Sequence, residues 1–229
     1  MITLVVAAAS IAAPTFADVV SSKLVDVSFT GKVVTASRSE LVKINRDFAM
    51  GYEAETVQVW YKEPLLVKLT SMFNGQPVTY VIKGDRKYYK IPRIATQSED
   101  ISKSPGKRQT LLDFGIITKA MESKFLDGKF VRTEANGQAV FDCSYQYKED
   151  TSRHRVWVDL EKKVIVKRMW YNQKGKLMAT FEYSEFLQSG GIWFPGKTTI
   201  KNSEGKTAGV SRYINVKANA GIADSFFQL

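Results

Sequence analysis

The sequence predicts a mainly β protein with a few helices, built on one long antiparallel sheet that curls. Three observations predict it. Short runs of alternating apolar and polar residues are broken by turn residues roughly every 10–15 residues, the spacing of a sheet made of hairpins. One stretch alone, residues 111–125, carries a helical pattern. The 229 residues hold one Cys and one His, so no disulfide or Cys/His zinc site can staple the chain. Stability must come from a core, and a composition 44% hydrophobic and 12% aromatic suits one. A sheet of so many strands curls or closes.

The strands follow in order. Residues 57–61 alternate, and so do residues 65–70, where Leu65, Val67 and Leu69 share one face. Asn74-Gly75 is a two-residue turn, and residues 77–82 return from it. Residues 83–86 turn again into 87–91. Residues 97–106 are polar and rich in breakers, which reads as a loop inserted within one domain. Leu111, Leu112, Phe114, Ile116, Ile117, Ala120, Met121 and Phe125 then recur at three- and four-residue spacing. Gly115 interrupts them, so one or two short helices are expected. Strands resume after Gly128. Runs at 155–160, 164–170, 177–183, 192–195 and 208–216 are separated by turns at 161–163, 172–176, 188–191 and 202–206.

Residues 1–16 read as an address. The run 2–13 is apolar and uncharged, too short to span a bilayer comfortably, and is followed by Pro14 and by small residues at Thr15 and Ala17. This predicts a signal peptide over residues 1–17, with one domain over 18–229. No basic residue precedes the apolar run. A short membrane anchor or a buried strand are the other readings.

Reactive chemistry is sparse. No G-x-S-x-G elbow, Walker loop or G-x-G-x-x-G occurs. Cys143 sits with Phe141, Tyr145 and Tyr147 on one strand face and reads as a small buried hydrophobe. A nucleophilic Cys would need a base, and the single His154 lies between Arg153 and Arg155, which predicts a solvated strand end. Glu99-Asp100 and Glu149-Asp150 read as solvated loop acids. No catalytic residue, metal site or cofactor is expected. The net charge of +10, with Lys and Arg interleaved with Tyr88 and Tyr89, raises nucleic-acid binding, but an exported chain rarely meets nucleic acid. A curled sheet capped by helices leaves a concave apolar interior, either filled or open to an apolar ligand.

Specific residues carry a resemblance. Residues 59–68, Val-Trp-Tyr-Lys-Glu-Pro-Leu-Leu-Val-Lys, resemble a strand–turn–strand of periplasmic lipoprotein carriers of the LolA type. Residues 83–92 resemble that family's next hairpin, and 156–159, 170–176 and 192–195 resemble the wider group of outer-membrane lipoprotein-sorting proteins. The resemblance implies a strongly curved, half-open antiparallel β-barrel closed by helices, in the periplasm, that shields lipoprotein acyl chains without changing any bond. It makes Trp60 the cavity tryptophan and turns Val67 and Leu69 toward the cavity. The same interior is expected to include Leu65, Tyr80, Ile82 and Phe181, with Leu112 and Ile116 from the helical stretch. Glu63 stands where the carrier has an Arg that ties the closing helix to the sheet.

The expected partners are lipid or lipoprotein acyl chains, a membrane-anchored donor or acceptor protein and, transiently, an anionic membrane surface. Nucleic acid is not expected, and the chain is expected to be monomeric. Two other classes remain: a periplasmic lipid-responsive regulatory module that binds a membrane-anchored partner, and a structural β-domain with a filled interior.

Overall fold

A computed structural model describes residues 12–73, 75–90 and 96–229. Most of the expected leader, Asn74 of the first turn, and Ile91 and Pro92 of the second hairpin motif lie outside the described residues.

The first strand, β1 (Asp26–Ala36), is followed by two short helices, α1 (Arg38–Ile44) and α2 (Arg46–Gly51). A meander then runs through β2 (Thr56–Lys62), β3 (Leu66–Phe73), β4 (Gln76–Lys83), β5 (Arg86–Lys90) and β6 (Gln97–Asp100). Two 3-10 turns (Pro105–Lys107 and Leu111–Phe114) and α3 (Lys119–Lys124) cross over to a second meander. That meander comprises β7 (Leu126–Thr133), β8 (Ala139–Tyr145), β9 (Arg153–Asp159), β10 (Val164–Tyr171) and β11 (Leu177–Ser184). A small separate hairpin, β12 (Leu187–Ser189) and β13 (Ile192–Phe194), precedes β14 (Lys197–Asn202) and β15 (Thr207–Ala218).

Thirteen strands form one antiparallel sheet in the order β6-β5-β4-β3-β2-β1-β15-β14-β11-β10-β9-β8-β7. Among the described residues the end strands β6 and β7 do not pair, so the barrel stays open. The inner face carries the alternate residues that the sequence selects: Val27 and Phe29 on β1, Val59 and Tyr61 on β2, Val67 and Leu69 on β3. Part of the interior is filled. Phe29 packs on Phe114 and Phe194 with ring centroids 4.9 Å apart in each pair, and on Tyr213 at 5.5 Å.

The stretch 97–106 is corrected. Its first four residues form β6, paired with β5 from Arg86↔Asp100 to Tyr89↔Gln97. Backbone pairing needs no apolar side chain, and a charged edge strand also resists pairing with other chains. The helical stretch resolves as expected into two pieces. Gly115 ends the first in the left-handed region (φ 83°), and a Cβ there would lie 2.9 Å from Pro195.

The helices α1 and α2 were not expected, because seven and six residues are too few to show a helical period. Asn45 ends the first and caps the second, accepting from the Asp47 amide at 2.7 Å.

The residues around the expected cleavage site are part of the packed structure. Phe16–Val19 forms a 3-10 turn, and the Phe16 ring lies 5.7 Å from Phe141. It fills the space over Gly128, where a Cβ would fall 2.0 Å from it.

Candidate functional site

A cavity of about 600 Å³ lies between the inner face of the sheet and its helical cover. It extends across the sheet from β4 to β8. At the β2–β4 end it is lined by Val57, Leu69, Ser71 and Tyr80. Its middle is formed by Leu112, Phe114, Phe181, Thr198, Ile200 and Tyr213. Phe48 and Tyr52, from α2 and the residue after it, form part of the cover. At the β8–β10 end the lining turns polar, with Tyr145, Ser152, His154 and Arg168 joined by Asp113.

Of the nine residues expected to line an apolar cavity, Leu69, Tyr80, Leu112 and Phe181 do so. Leu65, Val67, Ile82 and Ile116 are buried in the filled part of the core instead. Trp60 requires the largest correction, because it lies on the outer face. Val59 and Tyr61 take the inward positions of β2, and period-two alternation then turns Trp60 out. There it meets the Phe226 ring at 5.1 Å in the C-terminal turn Asp224–Phe227. Lys68, its cross-strand partner, lies 4.5 Å from the same ring and donates to the Phe226 carbonyl at 2.9 Å. Phe227 is fully buried outside the main core cluster, and the turn that carries it packs on β3.

His154 also departs from expectation. It is not at a solvated end but buried within β9, with Nε2 3.3 Å from the Tyr145 hydroxyl. Arg153 and Arg155 point the other way, where Arg155 grips Asp142 with bonds of 2.7 and 2.8 Å. Alternation thus separates the His from both neighbouring cations. Burial, and then the Arg168 charge, holds its pKa well below the ordinary 6.5. The imidazole is neutral in the folded protein, whereas the unfolded chain takes up a proton below about pH 6.5. The unfolded state binds more protons in that window, so stability falls as pH drops from 6.5 toward the lowered folded value. The slope is up to about 1.4 kcal/mol per pH unit. Urea unfolding between pH 5 and 7.5 should show that slope, and His154→Gln should flatten it. An unchanged slope in the variant contradicts the assignment.

Cys143 behaves as the small hydrophobe expected. It is fully buried, and burial pushes its thiol far up. It pairs in register with His154, yet no hydrogen bond joins them among the described residues, so the two form no thiolate–imidazole pair.

Arg168 is the other polar group that sequence periodicity hid. Its guanidinium lies 4.0 Å from the Phe181 ring and donates to Asp113 at 3.1 Å. A bulge between Ile165 and Lys167 shifts the parity of β10 and turns Arg168 inward.

Glu63 has a definite role. Its carboxylate accepts from the Ala120 amide at 3.3 Å, in the first turn of α3. Next to it the Tyr61 hydroxyl lies 3.0 Å from that of Thr118, the residue capping α3. The sheet and the covering helix are tied here by an acid meeting one amide donor, the polarity a helix N-terminus favours. Glu63→Arg is therefore expected to destabilise the chain by about 2 kcal/mol, from a lost charged hydrogen bond and a cation at a helix start. Denaturant unfolding checks this, and a neutral or stabilising effect would contradict the tie.

Among the described residues no cluster of potential metal ligands occurs, and no helix is long and apolar enough to cross a membrane.

An open antiparallel half-barrel with a helical cover over an internal cavity is the LolA-type fold, and the solved structures agree. The chain is similar to a domain named for outer membrane lipoprotein sorting from Vibrio parahaemolyticus, with 15% identity over 92% of each chain and a TM-score of 0.56. It is also similar to a LolA superfamily protein from Nitrosomonas europaea, with 16% identity over 90% of this chain and 89% of that one, and a TM-score of 0.54. A family model described as "-like: Uncharacterized protein" matches residues 125–229, the part from just before β7 to the end. No curated protein matches by sequence. At these identities the likeness establishes the fold.

Proposed function

We propose that the protein is an exported carrier that shields acyl chains of a lipid or lipoprotein during transit between membranes. The observation that carries this reading is the cavity of about 600 Å³ under the helical cover, whose wall surface is mostly apolar with polar residues interspersed. It falls within the ~300–1,000 Å³ typical of small-molecule sites. Each methylene it covers is worth about 0.8 kcal/mol, so affinity needs no covalent step. The net charge of +10 suits an encounter with an anionic lipid surface, where each nearby cation contributes ~1 kcal/mol.

Native mass spectrometry of the purified chain tests the reading. Co-purified lipid, or uptake of an acylated peptide at one-to-one stoichiometry, is expected. A chain that takes up neither is a structural β-domain. Capture of one membrane-anchored protein without lipid would favour a regulatory module instead. Export through residues 1–17 belongs to the same proposal, with Asp18 as the expected first residue of the processed chain. A mass that retains Phe16 would place processing upstream of the contact with Phe141.

A further inference from the structure

We propose that the cavity takes a single-chain amphiphile with an acidic headgroup, the head held by Arg168 beside Tyr145 and His154, and the acyl chain laid toward Leu69 and Tyr80. The inference rests on the carrier reading and names the ligand class.

Four observations carry it. The first is the asymmetry of the cavity. Its β8–β10 end holds Tyr145, His154 and Arg168 beside Trp170, whereas Val57, Leu69 and Tyr80, with Ser71, line the β2–β4 end. A ligand that matches both ends is polar at one terminus and apolar along its length.

The second is the sign of the polar end. The Arg168 side chain is 4% exposed, but that of its partner Asp113 is 43% exposed. Arg108, also on the cavity wall, repeats the arrangement: its side chain is 4% exposed, and that of its partner Asp85 is 64% exposed. Solvent screens the two acids, while the two cations sit in low dielectric where their field is strongest. Asp150, a third acid at this end, is occupied by the Ser152 amide and hydroxyl at 2.9 and 2.5 Å. His154, held neutral, adds a polar group to this end without adding charge. Asp47 and Lys107 complete the charged lining and offset each other, so the burial of the two arginines against their exposed partners is what tips the interior toward an anion.

The third is unused hydrogen-bonding capacity. Arg168 Nε and His154 Nδ1 are buried without a partner. Leaving a buried polar atom unmatched is costly; Arg153 Nη1 on the outer face is a third such atom, so these two count here only because Arg168 and His154 line the cavity. A carboxylate beside Arg168 would join Asp113 and the Tyr183 hydroxyl around the guanidinium and give its Nε a partner. The fourth is size: about 600 Å³ accommodates one acyl chain more readily than several.

Calorimetric titration of the whole chain with laurate, dodecyl phosphate and dodecanol at pH 8 tests the inference. Both acids are expected to bind at least about tenfold more tightly than the alcohol. Arg168→Met, which keeps a side chain over Phe181, should bring the acids down to the alcohol's affinity and leave the alcohol unchanged. Asp113→Asn removes the competing charge on Arg168 and should tighten laurate several-fold. If Arg168→Met does not fold, Tyr145→Phe and Asp113→Asn decide, with loosened and tightened laurate respectively. Equal binding of acid and alcohol by the wild type, or a preference untouched by these variants, overturns the inference alone. Binding of none of the three removes the carrier reading and this inference with it.

Discussion

Asp26→Ala is expected to lower the unfolding midpoint by about 10 °C and to free the C-terminal strap. Asp26 is 1% exposed, and its carboxylate accepts from the amides of Ala220, Gly221 and Ile222 at 2.9, 3.1 and 3.3 Å. Its carbonyl accepts from the Asn219 amide at 2.8 Å. These bonds turn the chain out of β15 and send it across β2 and β3, where Lys62 donates to the Ile222 carbonyl at 2.7 Å. Hydrogen bonds to a charged group contribute about 1.5–3 kcal/mol each when buried. The released amides regain water, so the net loss is about 3 kcal/mol. For a chain of this size each kcal/mol moves the midpoint by roughly 2–4 °C. Limited proteolysis should then cut within residues 220–229 while the sheet persists. A midpoint within a degree of wild type, with the tail still protected, would show that the carboxylate does not hold the strap.

Leu69→Asp is expected to abolish acyl uptake, with a loss of roughly a hundredfold or more. Leu69 is 9% exposed and lines the apolar end of the cavity. An empty cavity lets water reach the new carboxylate, so the fold survives. An acyl chain laid over it would strip that water, at a penalty of several kcal/mol, and each 1.4 kcal/mol is a tenfold change in affinity. Trp60→Ala is the counterpart. Since Trp60 packs against Phe226 on the outer face, the variant should lose strap stability and bind acyl chains like the wild type. The reverse pattern, with Trp60 needed for uptake and Leu69 dispensable, would put the ligand on the other face of the sheet.

The pair also shows what was legible in the residues. Alternation located the strands and told which residues share a face, so Leu65, Val67 and Leu69 fell together inside. It cannot say which face is the inner one, nor which buried residues touch a void and which touch a neighbour. Leu69 meets the cavity and Val67, two residues away, does not. The aromatic character of Trp60 suggested a ligand, but the outer face has its own cover, supplied by residues more than 160 positions later in the chain.

The polar end of the cavity was hidden for a different reason. His154 lies among cations in the sequence but opposite them in the strand. Arg168 is turned inward by a bulge that no local pattern announces. The helices over the cavity left a faint trace. Ser37 with Glu40 three residues on, and Asn45 with Asp47, are helix-start combinations. A reading that weighed caps above periodicity would have found α1 and α2, and with them Phe48.

The order of strands has a consequence for how the molecule assembles. Among the described residues, the half of the sheet from β1 to β6 and the half from β7 to β15 are joined within the sheet only where β1 meets β15, a seam running from Val27↔Ala218 to Ala36↔Gly209. The two halves can form locally as hairpins, but the sheet is continuous only once β15 zips against the distant β1. Such distant pairing makes folding slow and late. If the chain is exported as proposed, a sheet that stays open until β15 arrives leaves it able to be threaded through a membrane pore before it closes.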